Sequence, residues 1–333
     1  MQAIRYHPPS GPSKLIHTIT EPIPTLQPNS ALIKVSAVGV IHTELYWPIY
    51  QNADGTYKTH IPGHDFSGTI VNIKHHEHTT DPDNTNTSNI DLDQAIGTEV
   101  YAFTSRRNHE GALAEYVLAD LDQIVPKPCN MSPVEAASVP LSALTAWQAL
   151  FDHGKLISGQ KLLITGVGGG TGVFAMQFAK RCVDGVHITG TGSSARSQEL
   201  FKDFGGDAFV NYKETDLKSV DGAGTFDLVL DCVGGQVTQD CFKVVKKEGL
   251  VTSICTWDSA EQAKKHGVTG LFFIVSMEKK QLEAITALIE GGKVRTVVDR
   301  VFALEKTREA FEYASGGHVN GKVVVKVGQV DEH

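Results

Sequence analysis

A chain of 333 residues is longer than one ordinary hydrophobic core supports and suits two domains. With 41% hydrophobic and 20% charged residues it has the composition of a globular protein, which sets disorder aside. A formal charge of −8 argues against broad electrostatic binding of nucleic acid or an anionic membrane, and no apolar run approaches the roughly 18 residues that span a bilayer.

The opening, MQAIRYHPPSG, lacks the basic-then-apolar order of a secretory signal. Prolines at Pro8, Pro9, Pro12, Pro22, Pro24 and Pro28 rule out long helices there. Residues 1–125 read as short strands and turns, with strand-like runs at 31–40, 66–73, 99–103 and 112–118. The segment 75–93 is rich in His, Thr, Asn and Asp and reads as an exposed loop. Its His75, His76 and His78 could take up a metal adventitiously, but a solvated polar loop accounts for them. Asn86-Thr87-Ser88 fits a glycosylation sequon that no secretory signal makes meaningful. Five cysteines, Cys129, Cys182, Cys232, Cys241 and Cys255, are scattered without C-x-x-C spacing. They read as reduced thiols of a cytoplasmic protein, with access to the nucleus left open.

From Ser132 the rhythm changes to helices alternating with strands, the signature of a parallel sheet covered on both faces. Ser132-Pro133-Val134-Glu135 starts a helix with a Ser cap, Pro at the first position and Glu at the third. The most informative stretch follows, LLITGVGGGTGVFAMQFAK at 162–180. The apolar run Leu162, Leu163, Ile164 enters a glycine-dense turn from Gly166 to Gly172, and a run with helical apolar spacing leaves it at Val173. Strand, tight turn and helix open a dinucleotide-binding unit: the glycines Gly166, Gly168, Gly169, Gly170 and Gly172 permit the sharp bend, the approach of a pyrophosphate and close helix packing. The helix beginning near Thr171 and Val173 offers backbone donors and a positive dipole end to phosphates. Further strands are expected at 185–190, 208–211, 226–233, 249–254, 271–275, 297–302 and 322–327, with helices at 195–204, 277–288 and 304–314.

The residue after the second strand of such a unit separates NAD from NADP, since a carboxylate there accepts from the ribose 2′-hydroxyl and repels a 2′-phosphate. This chain reads Gly190-Thr191-Gly192-Ser193-Ser194-Ala195-Arg196, with hydroxyls and a guanidinium in place of the acid. Thr191, Ser193 and Arg196 are therefore candidates for holding a 2′-phosphate, and NADPH is the expected cofactor. The plainer alternative makes Ser193 a helix cap and Arg196 a solvated surface charge. Cys232, Val233 and Cys255 sit at the carboxyl ends of apolar strands, where a cofactor crevice is lined.

In their order and spacing, several segments resemble the medium-chain dehydrogenase/reductase superfamily, and within it the zinc-independent, quinone oxidoreductase-like branch. They are Gly39-Val40, Pro62-Gly63-His64-Asp65-Phe66-Ser67-Gly68, Gly111-Ala112-Leu113-Ala114-Glu115-Tyr116, Ala143-Leu144-Thr145-Ala146-Trp147, the glycine turn and Gly321-Lys322-Val323-Val324. The resemblance covers nearly the whole chain. It implies an α/β protein with a GroES-like β-rich catalytic domain at 1–125 and a Rossmann-type doubly wound parallel-sheet cofactor domain at 126–275. A C-terminal segment at 276–333 would return to the first domain, leaving the active site in the cleft between them. It also implies that Tyr212 reaches the 2′-phosphate, that Lys322 touches cofactor, and that the strand at 271–275 pairs across a two-fold axis to make a homodimer.

Zinc-dependent members of that superfamily carry a catalytic Cys before a His-Ser/Thr-Asp/Glu run, a His-Glu pair, and a second Cys near the Leu-Thr-Ala segment. Here the two Cys positions fall on Ile41 and Leu141, while the His survives as His64. Isoleucine and leucine cannot ligate zinc, and the four-cysteine structural lobe is missing, so no metal is expected. An unusual site built from His42, His64 and Asp65 is the alternative. A reductase without a metal suits quinones and α,β-unsaturated carbonyls, whose negative charge spreads by conjugation onto an oxygen that hydrogen-bond donors stabilise. Candidate donors are Tyr46, His42, Thr43 and His64, Thr43 standing where a hydroxyl relays a proton in the zinc relatives. An apolar wall of Tyr46, Trp47 and Tyr50 is the plain alternative, and the Asn-Pro-x-Asp pattern of quinone reductases is not there. The leading expectation is an NADPH-dependent reduction of quinones or enones acting on a small molecule. NADP-linked reduction of simple aldehydes or ketones, or a weakly catalytic NADPH-binding protein, are the alternatives.

Overall fold

The computed structural model describes residues 1–8, 11–47, 54–55, 58–75, 95–104, 110–220, 222–317 and 319–328. The polar segment at 76–94, with His76, His78 and the sequon, lies outside the described residues, as does Tyr50.

The N-terminal half holds β1 (Ala3–Tyr6), β2 (Leu15–Thr18), β3 (Ser30–Gly39), β4 (Asp65–Lys74), β5 (Glu99–Phe103), β6 (Tyr116–Asp120) and β7 (Val125–Pro126). After it come α1 (Pro133–Ala136), α2 (Pro140–Trp147), β8 (Lys161–Ile164), α3 (Gly170–Cys182), β9 (His187–Gly192), α4 (Ala195–Asp203), β10 (Ala208–Asn211) and β11 (Phe226–Asp231). The chain closes with α5 (Gln236–Val244), β12 (Val245–Ser253), α6 (Ser259–Lys264), β13 (Thr269–Phe272), α7 (Lys279–Glu290), β14 (Val298–Ala303), α8 (Thr307–Ser315) and β15 (Lys322–Lys326).

The cofactor-domain sheet runs β10-β9-β8-β11-β12-β13, all parallel. Its strand order reverses between β8 and β11, so the crevice that takes a ligand in such sheets opens at their carboxyl ends. Alternate residues of the strands feed different cores. Leu162 and Ile164 of β8 and Leu228 and Leu230 of β11 join the cluster under α2, α3 and α7, whereas Leu163 and Val229 join the cluster under α5 and α6. Two buried faces explain why these strands are apolar throughout. Leu282, Ile285 and Ile289 place α7 in the core of this sheet.

The other sheet runs β14-β15-β3-β4-β5-β7, with β6 also on β3. Its two C-terminal strands come from the far end of the chain: β15 pairs antiparallel with β3, Val324 opposite Gly39. Leu304, Phe311, Val323 and Val325 then share a core with Ile4, Ile33 and Phe66.

Two expectations shift. The run 112–118 makes a strand only from Tyr116, because Gly111, Ala112 and Leu113 donate their amides to the carbonyls of Ile61, Gly63 and Pro62 at 2.7, 2.6 and 3.0 Å. Those backbone groups are satisfied by a loop, so the apolar side chains before Tyr116 fill a bend instead of a pleat. Helix α3 starts at Gly170, three residues before the apolar spacing becomes visible at Val173, since glycines carry no periodicity.

The C-terminal return also clasps the glycine turn. Gly321 donates to the Gly168 carbonyl at 2.6 Å and bridges Gly169, with φ of +87°. A Cβ at Gly321 would fall 2.0 Å from the Val297 carbonyl oxygen. Gly321→Ala should therefore cost at least about 1–3 kcal/mol of stability in urea unfolding, through left-handed strain and the backbone clash together.

Candidate functional site

The site has a crevice in the cofactor domain and a buried floor between the domains. The crevice follows from the glycines. Gly166 turns the chain out of β8 at φ of +67°. Gly169 caps α3 in extended conformation, and a Cβ there would meet only the Gly166 carbonyl oxygen, at 3.5 Å, so this side of the turn is open. At Gly172 a Cβ would fall 2.5 Å from the same oxygen and 2.7 Å from Val167 Cα, so turn and helix touch. The Val173 amide closes the first helical bond, to Gly169 at 2.9 Å. The amides of Gly170, Thr171 and Gly172 precede that ladder and form the helix's positive end.

A cavity of about 550 Å³ opens beside the turn. Of the residues singled out in the sequence, Gly166, Gly168, Gly169, Thr191, Ser193, Tyr212 and Val233 line it, together with Ser194, Asp216, Asp240 and Asn320. Its size, the open cradle at Gly169 and the adjoining amides fit a dinucleotide with its pyrophosphate on α3. Thr191 braces the turn: its hydroxyl accepts from the Gly166 amide at 3.2 Å and its carbonyl from Val167 at 3.0 Å.

The two adjacent serines divide their work. Ser194 caps α4, its hydroxyl accepting from the Ser197 amide at 3.0 Å. Ser193 is left to donate to Tyr212 Oη at 2.9 Å on the cavity wall. Arg196 stands off that wall, bound to Glu199 at 2.6 Å with both side chains more than half exposed. Cys232 and Cys255 also stand off it. Cys255 is exposed, but the protein packed beside it and then the charge of Asp231 raise its thiol, and burial first of all raises Cys232 well above its ordinary value. Neither is poised as a thiolate nucleophile.

Asp231, which the sequence reading passed over, organises the crevice's inner edge. Fully buried at the end of β11, it accepts from Thr165 Oγ1, Val233 N and Gly234 N at 3.0, 3.1 and 3.1 Å on one oxygen. The other oxygen accepts from Thr238 Oγ1 and Ser253 Oγ at 2.6 and 2.9 Å. A carboxylate closing an apolar strand in FDLVLD was the available signal.

The floor gathers four ionisable side chains. Lys322, 7% exposed, crosses Gly170 with its stem and ends 3.1 Å from Asp65 Oδ2. The Leu141 amide donates to Asp65 Oδ1 at 2.7 Å. Burial raises the Asp65 carboxyl, while Lys322 and that amide pull it down. His64 is 1% exposed: its Nδ1 lies 2.8 Å from Thr104 Oγ1, the Trp47 ring lies over it at 5.1 Å, and its Nε2 is 3.8 Å from Glu44 Oε2. Burial pushes Glu44 up to about 8.

The other candidates part company here. His42 and Thr43 are exposed on the turn before Glu44. Although the side chain is exposed, the protein beside it strips water from the His42 ring, and this, followed by the positive charge of Lys322, pulls it below the usual histidine range. Tyr46 is 56% exposed, and its hydroxyl would meet a Cβ on Gly11 at 2.7 Å, which sets it against the Gly11–Lys14 turn. Trp47 takes the place over His64. The donor set is poor for zinc: Leu141 offers only its backbone amide to Asp65 and Asp65 is held by a lysine, which leaves His64, whose Nε2 faces Glu44 at 3.8 Å. Among the described residues no group of three or more His, Cys, Asp and Glu side chains is placed to hold a metal ion. No described helix is long and apolar enough to cross a membrane.

Two sequence families match: the alcohol dehydrogenase GroES-like domain over residues 27–129 and zinc-binding dehydrogenase over residues 204–325. The chain is 32% identical over 328 residues to a probable zinc-binding oxidoreductase, mitochondrial, of Arthroderma benhamiae, covering 94% of this chain and 92% of that one. It is 30% identical over 250 residues to the mitochondrial NAD(P)H oxidoreductase RTN4IP1 of Danio rerio, covering 66% and 63%. Among solved structures, the quinone oxidoreductase from Coxiella burnetii superposes with a TM-score of 0.82 at 27% identity, covering 98% and 99% of the two chains.

The floor's ion pair gives a direct test. Lys322→Met strands the buried Asp65 charge and should cost about 3–5 kcal/mol in thermal or urea unfolding. Adding Asp65→Asn should recover most of that loss.

Proposed function

The protein belongs to the medium-chain dehydrogenase/reductase superfamily, in its quinone oxidoreductase-like branch, and from that premise we propose that it uses NADPH, without zinc, to reduce quinones or α,β-unsaturated carbonyls. It is an oxidoreductase of the quinone-reductase type. The cofactor's phosphate and the acceptor's chemistry are what the proposal adds.

The observation that carries NADPH is the Ser193–Tyr212 hydroxyl pair on the cavity wall at the end of β9. Two hydroxyls there can donate to a dianionic phosphate, whereas a carboxylate would repel it. Arg196 would have to leave Glu199 to join them. Asn320 supports the same wall by accepting from Ser194 Oγ at 3.3 Å. When bound, the reduced nicotinamide would supply hydride; the chain's part is to hold it and to exclude water. Val233 and the turn fixed by Asp231 would shape the inner end of the crevice.

The floor argues for a conjugated acceptor. Its cation, Lys322, is engaged by Asp65, and its imidazole is covered by Trp47, so no strong electrophile is offered to a simple carbonyl. A quinone or enone needs less help because its charge is delocalised as it forms. His42 and Thr43, exposed on the turn before Glu44, would offer an imidazole and a hydroxyl to a substrate oxygen. The proposal extends to a homodimer joined along β13, the edge of the parallel sheet.

NADPH oxidation in the presence of a quinone, an enone and a saturated aldehyde tests the chemistry: turnover of the aldehyde alone would overturn it. Ser193→Ala should weaken NADPH by about 1.5–3 kcal/mol while sparing NADH, and should exceed the effect of Arg196→Ala. Isothermal titration with both cofactors reads this out, and equal losses for the two would remove Ser193 from the phosphate site.

A further inference from the structure

We propose that Trp257 is a specificity-determining residue for the acceptor: its indole is a fixed shelf at the inner end of the crevice and selects conjugated carbonyls that carry an aromatic ring. The proposal rests on the oxidoreductase reading above and narrows its substrate class.

Trp257 is 79% exposed, more than any other large apolar side chain among the described residues. Neither a ring contact nor a hydrogen bond to a described residue engages its indole. A single exposed apolar side chain on a loose loop would mean little. This one stands on a turn whose backbone is tied down residue by residue. Ser253 Oγ donates to Asp231 Oδ2 at 2.9 Å and accepts from the Cys255 and Thr256 amides at 3.2 and 3.1 Å. The Ile254 amide donates to the Asp231 carbonyl at 3.1 Å. Thr238, whose hydroxyl proton goes to Asp231, accepts from Thr256 Oγ1 at 2.7 Å. The Thr256 carbonyl in turn accepts from the Ser259 amide at 3.1 Å. A ring mounted this way loses little freedom when a ligand covers it.

Its place in the sheet says which ligand. The Ser193–Tyr212 wall, to which the 2′-phosphate is assigned, belongs to β9 and β10, on one side of the strand-order reversal. Val233 lines the same cavity on the other side, just past β11. A dinucleotide laid from that wall across the α3 turn has its nicotinamide end over β11 and β12. The turn bearing Trp257 packs on the turn bearing Val233: a Cβ on Gly234 would fall 2.8 Å from Cys255 Cβ and 3.7 Å from Thr256 Oγ1. Val233 and Cys255 are exposed there too, so the surface next to the cavity is apolar. Ile274, also exposed, follows β13, the edge assigned above to a second copy, and is not part of the shelf. With Lys322 engaged by Asp65, an acceptor's oxygen finds little to hold it, and its affinity comes from the rest of the molecule. A flat indole favours a flat aromatic body, through contact area and the attraction of offset rings.

The test compares wild type, Trp257→Ala and Trp257→Phe in the full chain. NADPH oxidation is followed with two acceptor pairs that differ by one aromatic ring, benzoquinone against naphthoquinone and methyl vinyl ketone against benzylideneacetone. Trp257→Ala should raise KM for naphthoquinone and benzylideneacetone about fivefold or more and change the smaller acceptors less than about twofold. Its Kd for NADPH should match wild type, and Trp257→Phe should restore most of the loss. Binding without turnover is read by isothermal titration of benzylacetone, a saturated phenyl ketone, into each protein with NADP⁺ present; Trp257→Ala should bind it about fivefold more weakly or worse. An equal loss over all the acceptors, or a weaker hold on NADPH, overturns the proposal, because the ring would then serve the fold or the cofactor. A dimer that falls to monomer in Trp257→Ala, measured by light scattering, also overturns it, because a second copy would then cover the ring. Benzylacetone binding that depends on Trp257 in a protein reducing no quinone or enone upholds the shelf and sinks the acceptor reading. Reduction of quinones and enones with no selective loss in Trp257→Ala does the reverse.

Discussion

Lys322 is the cation through which the two halves of this protein hold each other. It begins β15, a strand of the first domain's sheet, yet its stem lies across Gly170 at the start of the cofactor domain's α3. Its ammonium ends on Asp65 at the head of β4, and the residue before it, Gly321, is hydrogen bonded to the glycine turn. Burying an ion pair is weak support for stability in itself, because desolvation consumes most of the attraction. What it fixes is geometry: a lysine this deep has one place to put its charge. The glycine turn and the cleft floor are thereby set in one relation.

That commitment shapes how the crevice can hold an anionic ligand. The two cations the sequence puts nearest the phosphates, Lys322 and Arg196, both have carboxylate partners, and Asp216 and Asp240 stand on the cavity wall. The protein as a whole carries −8. Attraction in the proposed complex then comes from oriented backbone amides at the start of α3 and from the hydroxyls of Ser193 and Tyr212. Such dipoles are fixed by the fold and act at short range, so they select a phosphate by position more than by long-range charge.

Much of this was legible in the sequence, and the reasons are local. A strand entering glycines and leaving as a helix is written in contiguous residues, and the strands of a doubly covered sheet announce themselves as apolar runs. The capping box at Ser132 is equally local, with Glu135 reaching back to the Ser132 amide at 2.9 Å. The site was less legible because its partners are far apart in the chain. Lys322 and Asp65 are separated by 257 positions, and no spacing rule reports a pair of that kind. Tyr46 and Trp47 are neighbours on one short turn, and which of them covers His64 depends on where the Gly11–Lys14 turn packs. Ser193 and Ser194 are likewise neighbours, and only the start of α4 decides which one caps it.

The same long-range logic explains why one acidic residue among the cleft's polar groups could be overlooked. Asp65 stands in a motif with a histidine and invites attention, whereas Glu44 follows His42-Thr43 as an apparent surface charge. The turn it sits on buries Glu44 and Leu45, so the carboxyl is among the driest side chains in the molecule. A buried acid without a counter-charge is a standing cost to folding, and replacing it by a glutamine would remove that cost at a single position.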